Sequence, residues 1–308
     1  MSVTLPWGIF YLIIFPGFLF TAAVGLFSTW VDRKVSARIQ WRVGPPWYQP
    51  FVDILKLLGK ENIIPAGTGM TGYLVFPIIG FIAVVLVSTI LWVTNWFPEA
   101  TFVGDIIVVI YLLYLPAIGI IAGGSASGNP MGAVGASREM KLMLAYELVF
   151  LVAIFTPVVA AGGCISLGGL VGYQAANGWM LGNASCIIAF IVSLVCIQAK
   201  LGLVPFDIAE AETEIIAGPY TEYSGAALAV FKLTKAMLLF VLPILLIAVF
   251  MGGVWSPWAI LEYLLILVLI ILVKNTNPRI RVDQAIRFFW VPCLILSVIG
   301  IILAAVGL

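Results

Sequence analysis

Histidine is absent from this 308-residue sequence, and charged residues make up only 9% of it. The absence of histidine removes the commonest metal ligand in proteins and the usual axial ligand of haem. The four cysteines, Cys164, Cys186, Cys196 and Cys293, stand far apart in apolar runs and form no CxxC pair. We therefore expect no metal centre and no iron–sulfur cluster within this chain, and we interpret the cysteines as buried, inert thiols.

Apolar residues, by contrast, make up 63% of the chain, and the mean hydropathy is +1.18. This composition is typical of a polytopic membrane protein. The net charge of +1 and the lack of a basic tail give no indication of nucleic-acid binding. The N-terminus has neither a basic segment nor a small-residue cleavage site, so we expect the first apolar run to be a retained span.

The sequence predicts an all-α fold in one transmembrane domain, 1–308, because eight apolar runs are long enough to cross a bilayer. They cover residues 7–30, 71–96, 103–124, 141–163, 183–203, 227–252, 256–273 and 285–306. We find no internal repeat of the kind that marks inverted-topology transporters. The Gly- and Ser-rich stretch 123–139 is interpreted as a loop that is flexible or covered by a neighbour.

All 15 basic residues lie in or beside the loops that follow the first, third, fifth and seventh spans. Positive charge marks the cytoplasmic side of a membrane protein, so these loops are predicted to be cytoplasmic and both termini to lie outside. Loop 31–66 contains a further predicted element, an amphipathic helix at the membrane surface. Its apolar face would hold Phe51, Ile54, Leu55 and Leu58, and its opposite face Asp53, Lys56 and Lys60.

The most unusual loop is 200–226, which carries five acids and no basic residue between Lys200 and Lys232: Asp207, Glu210, Glu212, Glu214 and Glu222. Acids close to hydrocarbon usually line a water-filled or proton-conducting path. The spacing of Asp207, Glu210 and Glu214 predicts one face of a helix. Alternatively, Asp207 and Glu210 form a capping box that starts a short helix, and the charges are merely solvated.

One further acid, Glu147, lies several residues inside the fourth span, on the order of 10 Å deep. A glutamate at that depth is expected to be protonated, paired or facing a wet cavity. Asp283 is placed to cap the last span, and Arg279 and Arg281 would point together if their segment is extended.

These residues occur in motifs that resemble one family. The segment VPFDIAEAETEIIAGPYTEYSG, 204–225, resembles the acidic loop of the membrane subunit at the quinone end of respiratory complex I, NADH dehydrogenase subunit 1. Other similarities are Asp32-Arg33-Lys34 after the first span, Arg42 with Gly44-Pro45, the amphipathic helix, Glu147, and the motif from Pro278 through Arg279, Arg281, Asp283 and Gln284 to Trp290. The resemblance covers nearly the whole chain.

The turn 44–50, Gly-Pro-Pro-Trp-Tyr-Gln-Pro, is shorter than in quinone-type members. This short form is similar to the anchor subunit of archaeal, energy-converting membrane-bound [NiFe] hydrogenases and of the related sulfur-reducing complex, which use ferredoxin.

The resemblance implies a non-catalytic anchor and coupling subunit without cofactors of its own. Its partners would be a peripheral-arm large subunit with a NiFe centre, iron–sulfur subunits and antiporter-like membrane subunits, assembled in the plasma membrane. It implies that an ion path, for protons or sodium, runs along Glu147, Asp207, Glu210, Glu212, Glu214 and Glu222. It also implies that loops 31–66 and 200–226 contact the arm, with docking or redox-cavity roles for Arg33, Lys34, Arg38, Arg42, Arg279, Arg281 and Asp283.

Three alternatives remain open at the level of sequence. The same anchor role is possible in a sulfur-reducing complex or in a quinone-reducing complex I. The chain is less well explained as a stand-alone secondary transporter, because it lacks a repeat. A passive scaffold would carry the same acids without conducting ions.

Overall fold

A computed structural model describes residues 5–65, 69–254 and 258–307 of the chain. These residues form helices without any β-strand. The α-helices are α1 Leu5–Ile13, α2 Phe18–Ile39, α3 Gln49–Leu58, α4 Met70–Trp96, α5 Asp105–Leu112, α6 Leu115–Ala126, α7 Pro130–Ala160, α8 Leu167–Asn177, α9 Ala184–Lys200, α10 Glu212–Ile215, α11 Gly225–Phe250, α12 Trp258–Thr276, α13 Val282–Phe288 and α14 Leu294–Val306.

The predicted all-α membrane fold is confirmed. Seven helical segments of the described chain are long and apolar enough to span a bilayer, and α9 is a shorter apolar helix at the position of the fifth predicted span. Several spans are interrupted: a break separates α1 from α2, α5 from α6, and a π-helical turn, Phe289–Cys293, joins α13 to α14. Proline explains the last interruption, since Pro292 has no backbone N–H to donate within the helix.

Helix α11 stands at the centre of the bundle. In its most apolar stretch, 89% of the residues are buried, against 28% to 61% in the other spans. It packs against α2, α4 and α3, and also contacts α12 and α8. A helix that is apolar on all sides belongs in such an interior position.

The interpretation of stretch 123–139 as a loop is wrong. Helix α6 continues to Ala126, and α7 begins at Pro130 after a short link. The Asn129 side chain accepts a hydrogen bond from the Met131 N–H at 2.8 Å, and a proline at the first position fits a helix start. The glycines allow close packing, because a Cβ at Gly135 would lie 2.6 Å from Pro219 Cδ. The chain's own loop 201–224 thus covers this segment.

The predicted amphipathic helix is present as α3. Phe51 and Ile54 pack with Leu26 of α2 and Ala236 of α11, so this face joins the bundle. Leu55, which the pattern places on the same apolar face, is 67% exposed. The apolar face of α3 is therefore wider than the surface that this chain buries.

Candidate functional site

The acidic loop 201–224 does not form the predicted helix. Only the four residues of α10 are α-helical, and Asp207 and Glu210 lie in irregular backbone before it. Both the shared helical face and the alternative capping box are therefore wrong. Gly202, at φ +57°, and Pro205 interrupt any regular helix after α9, and the acids instead meet bases that come from other helices.

Each ion pair at this end of the bundle joins two different elements. Hereafter we call this end, where α2, α6, α9 and α12 finish, the basic end. The ion pairs are Glu147–Lys200, Glu210–Lys235, Asp207–Arg279, Glu214–Arg138, Asp53–Arg33 and Asp32–Lys274. Three of them, those of Glu210, Asp207 and Glu214, connect the acidic loop to α11, the α12–α13 link and α7.

The deepest of these pairs is Glu147 of α7 with Lys200 at the end of α9. Lys200 Nζ lies 2.5 Å from both carboxylate oxygens, and the two side chains are only 4% and 3% exposed. The rings of Tyr114, Tyr146 and Phe150 surround the ammonium group at 5.1–5.2 Å. Glu147 is therefore paired, one of the three states that its depth in the sequence allowed.

The Glu210–Lys235 pair lies closer to the surface, with Nζ–O distances of 2.7 and 2.8 Å and exposures of 30% and 34%. Both side chains line three cavities, of about 260, 230 and 30 Å³. The first lies between α2, α3 and α11 and also reaches Asp32 and Asp53. Glu210 and Lys235 thus stand at the junction between the surface cavities and the interior.

A buried carboxylate that the sequence analysis missed, Glu139 of α7, lies on the interior side of this junction. It is 7% exposed and shares the smallest cavity with Lys200, Glu210 and Lys235. That cavity, about 30 Å³, has the volume of about one water molecule. Glu139 therefore shares this cavity with the Glu210–Lys235 pair and with Lys200 of the deeper pair.

Asp207 accepts a hydrogen bond from Arg279 Nη2 at 2.8 Å and is only 16% exposed. Its second oxygen, Oδ1, is buried without a hydrogen bond among the described residues. Burial, assisted by the negative charge of Glu210, raises the pKa of Asp207 although Lys235 and Arg279 oppose the shift. The fold thus disfavours the ionised form of this loop carboxylate.

The remaining acids of the loop differ in their surroundings. Glu214 pairs with Arg138 at 2.7 Å and is 61% exposed. Glu222 accepts a hydrogen bond from Asn129 Nδ2 at 2.5 Å, and its backbone carbonyl accepts one from the Tyr73 hydroxyl at 2.8 Å. Tyr73 stacks on Tyr223 with the ring centroids 4.3 Å apart, which fixes the end of the loop to α4. The side chain of Glu212 lies outside the part of the structure that is described.

The basic residues expected to dock a partner are mostly at the surface. Arg38, Arg42 and Arg281 are exposed, whereas Lys34 is partly buried. Asp283 lies in the first turn of α13 and is not its cap, since the cap position belongs to Arg281. The Arg281 N–H instead donates to Gln284 Oε1 at 3.2 Å.

Arg33 pairs with Asp53 of α3 at 3.0 Å. Burial alone would raise the pKa of Asp53, but hydrogen bonds from Arg33 and Gln49 outweigh it and hold the pKa below its ordinary value. This bridge therefore fastens α3 to the end of α2 with both groups charged.

Acids and bases thus alternate from the surface into the membrane domain. Within the described residues, no cluster of three or more Cys, Asp or Glu side chains has the geometry of a metal site. An alternating series of this kind can move a proton or redistribute charge, because each base stabilises the ionised form of its neighbour. Intramembrane ionisable groups that are mutually paired usually belong to ion or proton pathways.

Fold and site together define a polytopic membrane protein with an acid–base series at one end of its helical bundle. Residues 11–305 match the family model described as NADH dehydrogenase, and the chain belongs to that family. The predicted family resemblance is therefore confirmed, and the chain is a membrane subunit of the complex I type.

Its relatives include the H subunit of NADH-quinone oxidoreductase from Geobacillus kaustophilus strain HTA426, which is 32% identical over 94% of this chain and 92% of the relative. The corresponding protein of Geobacillus thermodenitrificans strain NG80-2 is 33% identical over 89% and 87% of the two chains. A solved structure of the membrane-bound sulfane sulfur reductase, an archaeal respiratory membrane complex, contains a chain with a TM-score of 0.84 and 32% identity. The match covers 93% of this chain and 96% of that one.

Proposed function

We propose that this chain is the membrane anchor and coupling subunit of a multisubunit, ferredoxin-linked respiratory complex. In this role, it links redox chemistry in a peripheral arm to the translocation of protons or sodium ions. The observation that carries the proposal is the position of Glu210 and Lys235 at the meeting point of three cavities. The buried Glu139 lines the smallest of these cavities together with Glu210 and Lys235.

The coupling follows from electrostatics. A charge that arrives at the basic end acts on Glu210, Asp207 and Glu139 through a medium of low dielectric, where its influence exceeds that in water several-fold. Carboxylates that share bases titrate as a set, so a change at one member shifts protons on the others. The Glu147–Lys200 pair is the innermost member and passes this shift toward a neighbouring membrane subunit.

The partners proposed for the chain are a NiFe-type large subunit, iron–sulfur subunits and antiporter-like membrane subunits. In this arrangement, the basic end faces the cytoplasm, both termini lie outside and the redox centres belong to the partners. The exposed Arg38, Arg42 and Arg281 form the docking surface for the arm. Exchanging these three arginines for alanine is expected to release the arm at high salt, and an arm that stays attached would contradict this assignment.

The ion-path role is tested by the ratio of ions translocated to electrons transferred in sealed membrane vesicles of the host. We expect Glu210→Gln and Glu139→Gln to lower this ratio while the complex stays assembled. Glu99→Gln is the matched control, because Glu99 is exposed in a loop at the opposite end of the bundle. If both buried-site variants translocate ions at the parental ratio, the carboxylates have a structural role only.

A sulfur-reducing complex is the second candidate, favoured by the likeness to the sulfane sulfur reductase chain over nearly the full length of both proteins. The names of the relatives from Geobacillus species favour a quinone acceptor instead. Identifying the proteins that copurify separates these candidates. A large subunit with four metal-ligating cysteines supports the hydrogenase, and inhibition of the intact complex by a quinone analogue supports a quinone reductase.

A further inference from the structure

Two tyrosines connect the innermost ion pair to the surface of this chain. Tyr114 lies at the break between α5 and α6, and the centre of its ring is 5.2 Å from Lys200 Nζ. Tyr111 of α5 stacks on Tyr114 with the ring centroids 5.7 Å apart, and Tyr111 is 63% exposed. The contacts from Lys200 through Tyr114 to Tyr111 therefore join a buried charge to an exposed ring.

The tyrosines lie where a membrane span is interrupted. Leu113 and Tyr114 form a turn between α5 and α6. The turn forms because Pro116 has no N–H for the Leu112 carbonyl and its ring crowds that carbonyl. Within the span Asp105–Ala126, Tyr114 lies about 14 Å from the first residue at 1.5 Å per residue. Since a hydrocarbon core is about 30 Å thick, the interruption lies near its middle.

Lipid does not satisfy the polar groups at this depth. Among the described residues, neither tyrosine hydroxyl has a hydrogen-bond partner, and a hydroxyl without one is costly in an apolar medium. Tyrosine is enriched at the membrane–water interfaces, where its hydroxyl reaches polar groups. Irregular backbone at membrane depth occurs where protein covers it or where it lines a water-filled cavity. A polar protein surface therefore fits this position better than hydrocarbon chains do.

We propose that the α5–α6 break is the docking surface for a transmembrane helix of a partner subunit, and that this helix presents a carboxylate to the hydroxyls of Tyr111 and Tyr114. Each hydroxyl donates, and hydrogen bonds to an ionised acceptor are about twice as strong as neutral ones. A path that reaches Lys200 also needs a further ionisable group outside this chain. The carboxylate thus rests on the proposed coupling role, whereas the docking surface does not.

The docking surface is tested by photo-cross-linking of the assembled complex in host membranes, with p-benzoylphenylalanine at position 111. We expect at least half of the cross-linked chain to be joined to one other membrane protein. Mass spectrometry of the cross-linked peptide should place an Asp or Glu within about one helical turn of the attachment point, because neighbours on a helix face are three or four residues apart.

The hydroxyls are tested by the double variant Tyr111→Phe with Tyr114→Phe, which keeps both rings. We expect the ratio of ions translocated to electrons transferred to fall at least twofold while the complex stays assembled. Tyr173→Phe is the matched control, because Tyr173 is 38% exposed on α8, outside the acid–base series. This control should keep the parental ratio.

Each part of the inference has a result that would overturn it. Adducts with lipid in place of protein at position 111 would exclude the docking surface, and a cross-linked helix without an acid would exclude the carboxylate. A parental ratio in the double variant, where Glu210→Gln lowers it, would exclude the role of the hydroxyls. If Glu210→Gln also keeps the parental ratio, the coupling role itself fails, and the cross-link alone decides whether a partner docks here.

Discussion

The depth difference between two ion pairs leads to a quantitative prediction. Glu147→Gln removes the partner of Lys200, whose side chain is 3% exposed, and so leaves an ammonium group buried without a counter-charge. Breaking a buried pair from one side costs about 3–5 kcal/mol of folding free energy. The three rings at 5.1–5.2 Å offset about 2 kcal/mol at most. We therefore expect a loss of about 3 kcal/mol.

Glu210→Gln is the matched comparison. Its pair has nearly the same geometry, but Lys235 and Glu210 are 34% and 30% exposed, so solvent screens the lost interaction. Partly exposed pairs contribute about 1 kcal/mol or less. The two isosteric substitutions should thus differ by about 2 kcal/mol in the free energy of unfolding.

The assay is unfolding of the detergent-purified assembly, followed by tryptophan fluorescence near neutral pH. The double variant Glu147→Gln with Lys200→Met removes both charges and should recover stability to within about 1 kcal/mol of the parent. The reasoning is refuted if Glu147→Gln and Glu210→Gln are equally destabilising. It is also refuted if the double variant is less stable than Glu147→Gln alone.

Two further predictions concern the acidic loop. Because burial raises the pKa of Asp207, the native state binds its proton more tightly than the unfolded chain, and stability falls as pH rises from about 3.8 through the raised value. Asp207→Asn should weaken this pH dependence of the free energy of unfolding. If unfolding curves of the variant at several pH values show the same dependence as the parent, burial of Asp207 is not its cause. Gly135→Ala should cost about 1–3 kcal/mol through the clash with Pro219. In Gly172→Ala, the added Cβ meets no atom within 4 Å, so this variant should keep the parental stability. Equal melting temperatures of the Gly135→Ala and Gly172→Ala variants would contradict the packing argument.

Most of the spans could be predicted from the sequence because each apolar run is long and the basic residues lie in or beside every second loop. The start of α7 was missed since Gly and Ser dominate stretch 123–139, a composition that is typical of loops. Asn129 followed by Pro130 is a helix-start signal in the same stretch. Had it been weighted, Glu139 would have been recognised as an acid on the same helix as Glu147.

The partners of the acids could not be deduced from the sequence. Asp207 pairs with Arg279, and Glu147 with Lys200, across 72 and 53 positions of chain. Local spacing favoured one helical face for Asp207, Glu210 and Glu214. Tertiary contacts decided the conformation of the loop instead, because bases on three other elements pair separately with these acids. The sequence also does not show which acids are buried. The exposed fractions of Glu147 and Glu214 differ because different side chains pack around each of them.

Helix α9 is shorter than each of the seven helical segments that are long enough to span the bilayer, and this length has a consequence for the surrounding lipid. Its 17 residues extend about 25 Å, less than a hydrocarbon core of about 30 Å. Ile187 and Ile191 on this helix are exposed on this chain, and lipid in contact with them would have to thin to meet the mismatch. Such a dimple would bring the headgroup layer toward Lys200 and reduce the thickness of insulating hydrocarbon near the innermost charge pair.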